Sequence, residues 1–373
     1  MGKRKICCFC ERWASGGIES FLCNALEQLD LSELEVDIVA AKLDKSEYTA
    51  RLERVGVGFR QLSGSLRDLP ENYRSFRRLL WKQRYDVAHF HLYQGLSLAY
   101  CRIARQEGVP VRIVHSHNEA LRPSLTKPLK LLLHRWGRKR FSGDATQLWA
   151  CSQAAAEFLF GAGSVFTVIP NGIDTARFRF DSQARRQLRE ELGLGDCLTI
   201  GNVGRLCSQK NQEFLLDIFT QLVQQRPDSR LVLVGDGKDR RKLEHRAAAL
   251  GINGQVIFYG QTVRVAPLLC AMDVFVMPSL FEGLPLAVLE AQASGLPVLC
   301  SQGLSEEVKL TDLVDFLSLD AGPKAWAERM AAHSQRTSDR EHYADVVAAA
   351  GFDAKTVAQR IGQVYLGRND GTA

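Results

Sequence analysis

The chain has 373 residues, 46% hydrophobic and 24% charged, the balance of a globular protein with room for two cores. No apolar run approaches the roughly 20 residues that span a bilayer, and the apolar stretch after Lys3-Arg4-Lys5 is too short for a secretory signal, so a cytoplasmic location is expected. The net charge of +6 is unevenly held: residues 1–180 carry 27 Lys and Arg against 18 Asp and Glu, which suggests an anionic partner for the first half.

In chain order, Lys5–Phe9 reads as a strand, followed by a Gly16-Gly17 turn and a helix through Leu29. Val36–Ala40 is a strand, Tyr73–Arg84 a helix, and Val87–Phe90, Val111–His115 and Leu148–Cys151 are strands. The pattern then restarts. Leu198–Val203, Arg230–Val234, Val256–Tyr259, Val274–Met277 and Val298–Cys300 read as strands, with helices over Asn211–Gln225 and Asp239–Leu250. Alternating strands and helices predict an α/β protein of two Rossmann-like doubly wound domains facing a central cleft. The expected boundaries are 1–178 for the first domain and 179–351 for the second. A helix over 352–373 is expected to cross back to the first domain.

The ten cysteines include Cys7, Cys8 and Cys10 on the first strand, without a matching second pair for a metal. They read as buried reduced thiols. His115 and His117 end a strand and are expected to split, one ring in the lobe and one in the site. No third ligand is evident near them, so no metal centre is expected. His89 and His91 repeat the pattern with a structural role.

Glu282 and Glu290 stand eight positions apart, the first in a loop with Gly283 and the second on the helix expected after Pro285. A helix N-terminus behind a permissive loop favours an anion, and an acid on either side of it can meet hydroxyls. Asn202-Val203-Gly204-Arg205 and Lys210-Asn211 follow a strand, where Arg205 and Lys210 can clamp a diphosphate. Gly16-Gly17 allows close backbone approach to an anion, though such pairs also serve ordinary turns. Between Leu121 and Phe141 lie seven basic residues and no acid, with Leu129, Leu131–Leu133 and Trp136 on an apolar face. Two readings stay open: a helix on an anionic membrane through residues 122–140, or a surface helix with its leucines in the core. No nucleic-acid-binding module appears.

Together these motifs resemble the family-4 glycosyltransferases of the GT-B fold, and within them the bacterial exopolysaccharide and capsule enzymes. The likeness covers Gly16-Gly17-Ile18-Glu19, Val114-His115-Ser116-His117-Asn118, Ile169-Pro170-Asn171-Gly172-Ile173-Asp174, Gly204-Arg205 with Lys210-Asn211, and the E-x7-E pair Glu282 and Glu290. It implies a retaining enzyme that moves a sugar from a nucleotide-diphosphate sugar, UDP-linked by expectation, to a lipid-linked or polysaccharide acceptor. It also implies no cofactor and no metal; no D-x-D motif occurs. Arg205 and Lys210 would hold the diphosphate, Glu282 sugar hydroxyls and Glu290 the ribose. Gly16, Gly17, Gly204, Gly283 and Leu284 would line the donor, and His117 would be the active-site histidine. One departure is Ser301-Gln302-Gly303, where many relatives carry a Gly-Gly pair. A nucleotide-sugar epimerase and a non-catalytic binding component of an assembly complex are the competing readings.

Overall fold

The computed structural model describes residues 2–14, 16–66, 68–118, 127–333 and 339–368. Contacts divide the chain into two units, Met1–Gly172 with Ala354–Ala373, and Ile173–Asp353. The helix Thr175–Phe178 therefore falls in the second unit, where the sequence reading had it in the first. The reason is packing: Phe178 is buried in the same core cluster as Val288 and Leu289.

The first unit holds seven strands: β1 Arg4–Trp13, β2 Leu34–Leu43, β3 Gly58–Gln61, β4 Val87–Leu92, β5 Val111–Ser116, β6 Gln147–Ala150 and β7 Thr167–Val168. They pair in parallel in the order β3-β2-β1-β4-β5-β6-β7. A parallel sheet is covered on both faces, so its inner strands are apolar throughout rather than alternating. β1 shows this: Ile6, Cys8 and Cys10 join the core on one face, while Cys7 and Phe9 join the core on the other. The thiols of this strand are buried and free, as small hydrophobes. The C-terminal helix Ala354–Tyr365 packs on the helix Gly17–Glu27, with Val357, Ile361 and Tyr365 in the same core as Ile6. Gly172 lets it in, since a Cβ there would stand 3.0 Å from the Ala354 Cα.

The second unit repeats the plan with six parallel strands: β8 Thr199–Val203, β9 Arg230–Val234, β10 Val256–Gly260, β11 Val274–Met277, β12 Val298–Ser301 and β13 Val314–Leu317. Their order is β10-β9-β8-β11-β12-β13. In both sheets the order reverses beside the first strand, between β1 and β4 and between β8 and β11. Loops leaving the carboxyl ends at such a reversal are where ligands bind in doubly wound sheets.

Candidate active site

In the second unit the two loops at the reversal are tied to each other. β8 leads into the loop 204–211 and β11 into the loop 278–285. The Leu280 N–H donates to the Gln209 carbonyl (2.9 Å), Gln209 Nε2 to the Phe281 carbonyl (3.1 Å) and Asn211 Nδ2 to the Pro278 carbonyl (3.1 Å). Asn211 adopts the left-handed conformation at φ 55°, one that asparagine tolerates better than most residues. Buried Asn202 donates to the Val276 carbonyl (2.7 Å), and Gln212 Nε2 reaches the Arg205 carbonyl (3.1 Å), fixing the base of the first loop.

This framework brings Lys210 Nζ to 2.9 Å from Glu282 Oε1, with only 17% and 12% of the two side chains exposed. The oxygen makes no hydrogen bond among the described residues, so the lysine meets it as a charge pair off the hydrogen-bonding direction. Gly204 lies against the lysine stem: a Cβ would stand 3.3 Å from Lys210 Cε, at a φ of +156° that side chains disfavour. Arg205 projects, exposed, from the same loop.

Glu282 is also held from behind. Its N–H donates to the Gly303 carbonyl (3.1 Å), and the Ser301 hydroxyl donates to the Ser279 carbonyl. Gly303 is required by this approach, because a Cβ would fall 2.3 Å from the Leu280 carbonyl oxygen. At the Ser301-Gln302-Gly303 departure, the glycine's structural work is to let the loop after β12 close on the Glu282 loop.

Glu290 sits on the helix Leu286–Ala293, half-buried, with no side chain of the described residues paired to its carboxyl. Burial pushes that carboxyl up to about 7, and nearby Arg177 only partly offsets the shift. Pro285 caps this helix rather than occupying its first turn, and Gly295 closes it at φ +63°. Gly283 and Leu284 lie between Glu282 and this helix, partly buried.

In the first unit, Gly16 is the N-cap of the helix Gly17–Glu27, in extended backbone. Glu19 belongs to the Gly16-Gly17-Ile18-Glu19 run, where the sequence assigned it no role of its own. It is buried, and Oε1 accepts the Ala14 N–H (2.8 Å), so its carboxylate braces the glycine loop. A Cβ on Gly16 would stand 2.9 Å from Glu19 Oε2, whereas Gly17 faces open space.

The histidines correct the sequence reading most. Residues two apart on a strand share a face, so His115 and His117 do not split: their ring centroids are 4.1 Å apart. Parallel register sets His91 opposite His115, and its Nδ1 lies 2.9 Å from His117 Nε2. A third imidazole therefore stands beside the pair. His117 Nδ1 reaches Asn171 Oδ1 (3.3 Å), which gives the Pro170-Asn171-Gly172 motif a role. His89 bonds the Tyr365 hydroxyl on the C-terminal helix (2.7 Å). Burial pulls all four imidazoles below their usual range, His117 to about 4. His89 Nε2, His91 Nε2 and both His115 nitrogens are buried without a well-formed hydrogen bond among the described residues. Each such atom ordinarily costs about 1–3 kcal/mol. The doubled His-x-His pattern on consecutive strands was the signal that would have found this cluster.

The basic helix spans Lys127–Phe141; residues 119–126, including Arg122, lie outside the described residues. Its inward face is His134 and Gly137, the latter against Gly95. Leu129, Leu132, Leu133 and Trp136 are exposed, between 41% and 64%, so these leucines are not core residues. No helix among the described residues is long and apolar enough to cross a membrane.

Residues 15–177 match the family model described as Glycosyltransferase Family 4, and residues 197–335 the one described as Glycosyl transferases group 1. EpsF of Bacillus subtilis (strain 168), named as a glycosyltransferase, is 32% identical over 360 residues, 94% of this chain and 93% of its own length. The Escherichia coli UDP-Gal:alpha-D-GlcNAc-diphosphoundecaprenol alpha-1,3-galactosyltransferase is 32% identical over 238 residues, 61% of this chain and 60% of that one. Anabaena HepE, solved in complex with UDP-glucose, matches at a TM-score of 0.78 and 20% identity, covering 97% of this chain and 99% of its own; at that identity the likeness concerns the fold. With its two parallel α/β units, its matched models and a relative similar along nearly the whole length, the chain belongs to the family-4 glycosyltransferases of the GT-B fold.

Proposed function

We propose that this glycosyltransferase moves a sugar, with retention at the anomeric carbon, from a UDP-sugar to a lipid-linked or polysaccharide acceptor in exopolysaccharide or capsule synthesis. The observation that carries the reading is the Lys210–Glu282 pair, held at a sheet reversal by two interlocked loops. Before donor arrives, each group neutralises the other in a partly desolvated place. A diphosphate then takes Lys210, joined by the planar fork of Arg205. Glu282 is released to accept hydrogen bonds from hydroxyls of the transferred sugar, and Glu290 those from the ribose. Charge on the departing nucleotide is balanced by Arg205 and Lys210, with no divalent ion at the diphosphate. Gly16 and Gly17 shape the loop between donor and acceptor, and His117 serves as the active-site histidine.

The relatives support the choice of substrates. The galactosyltransferase is named for a UDP-sugar and a diphosphoundecaprenol-linked acceptor, and HepE was solved with UDP-glucose. A membrane-borne acceptor also suits the exposed Leu129, Leu132, Leu133 and Trp136 among the basic residues of their helix, which would seat peripherally on an anionic membrane face.

The test is a panel of UDP- and GDP-sugars with lipid-linked acceptors and no added Mg2+ or Mn2+. The readouts are nucleotide release and the anomeric configuration of the product. Acceptor-dependent release with a retained configuration is expected. Isomerisation of the donor without acceptor would mark an epimerase, and binding without turnover an assembly component; either outcome overturns the proposal.

A further inference from the structure

We infer that His91, His115 and His117 form a binding site for one transition-metal ion of borderline softness, Zn2+ in the first instance. One ring nitrogen from each residue lies within 4.8 Å of the other two, at the carboxyl ends of the neighbouring parallel strands β4 and β5. His91 and His115 are wholly buried, and His117 is half-buried and gives the site its opening. The buried nitrogens without a well-formed hydrogen bond concentrate here: both of His115, which meets the Ile169 backbone only loosely, and Nε2 of His91. Asn171 Oδ1 can only accept, so His117 carries its hydrogen on Nδ1 and leaves the Nε2 lone pair toward His91.

The chemistry of the set suits such an ion. Neutral imidazoles are the form that binds metal, and their burial keeps these rings neutral. Three histidine ligands with a fourth position open to solvent or an anion is a known zinc arrangement. At Zn–N distances of about 2.0–2.1 Å, tetrahedral ligands stand about 3.4 Å apart, which small side-chain rotations reach from the present spacing. Asn171 is placed to hold the His117 ring from its other nitrogen, as outer-shell partners do. The three ligands belong to the first unit and the Lys210–Glu282 pair to the second; because the ion takes Nε2 of His117 while Asn171 holds Nδ1, a bound ion and the role proposed for His117 in transfer exclude one another.

The test uses the full chain without any affinity tag, titrated calorimetrically with Zn2+ and examined spectroscopically with Co2+. One ion per chain is expected, with cobalt ligand-field bands and no sulfur-to-metal charge-transfer band. His115→Asn and His117→Ala should each weaken binding by more than the roughly 10–100-fold that loss of an outer-shell partner costs. Melting of each variant without metal checks its fold, and half-buried His117 is the milder change. A sulfur-to-cobalt band would place the ion instead at Cys8, His89 and His91, the adjoining ligand group, and overturn the assignment. So would wild-type protein that takes up no ion, in which case buried water satisfies these nitrogens.

Discussion

Lys210 and Glu282 show how two largely buried charges are kept stable side by side. Each is mostly buried, and a lone charge there would be costly; pairing them offsets that cost. Glu290 is the opposite case, a carboxyl with no partner among the described residues and raised to about 7 by burial. Because its folded value lies above the ordinary 4.5, its contribution to stability is greatest below about 4.5 and declines as pH rises through about 7. Glu290→Gln is expected to remove that part of the decline, which denaturant unfolding between pH 4.5 and 8 would show. Ribose hydroxyls bind the ionised form better, so donor affinity should rise with pH through about 7. Calorimetry of UDP binding should find this rise in the parent and a flat profile in Glu290→Gln; the same slope in both would rule out Glu290 as the titrating group.

At the scale of elements, the site depends on loops closing on one another. Gly303→Ala puts a methyl 2.3 Å from the Leu280 carbonyl, so the loop carrying Glu282 must move. A stability loss of about 1–3 kcal/mol is expected, as for other overpacked positions, together with a several-fold rise in donor KM and little change in kcat. Denaturant melts and initial rates would check both. The helix Lys127–Phe141 makes a separate prediction. Reversing Lys130, Arg135 and Lys139 to Glu should weaken binding to vesicles rich in anionic lipid on the order of 100-fold or more, at roughly 1 kcal/mol per basic residue lost. These side chains are exposed, so the melting temperature should hold. Cosedimentation unchanged by the reversal would leave the exposed leucines unexplained by a membrane.

Across the whole molecule, the inner strands were legible because parallel sheets bury both faces and leave continuous apolar runs. β9 and β11 fall where the sequence puts them, and most of the others differ by one to a few residues. The short strands β3, β7 and β13 were not read: β3 is Gly58-Phe59-Arg60-Gln61 and β7 has two residues, and all three lie at a sheet edge where little burial marks the pattern. For the site, Lys210 and Glu282 could be named from loop position and charge, but their contact could not, since it depends on backbone bonds between loops some 70 residues apart. The histidine cluster was misread for a different reason: residues two apart on a strand share a face, so His115 and His117 stay together, and the parallel register that sets His91 opposite His115 adds the third ring. The central claim is that Glu282, held against Lys210, engages the transferred sugar while Glu290 engages the ribose. The most direct measurement is the rate of acceptor-dependent UDP release by the parent, Glu282→Ala and Glu290→Ala. Loss of Glu282 should lower kcat/KM by about 10²–10³, the scale of removing one group that stabilises a transition state, with a smaller loss for Glu290 that falls mainly on KM. Equal rates in Glu282→Ala and the parent would contradict the account.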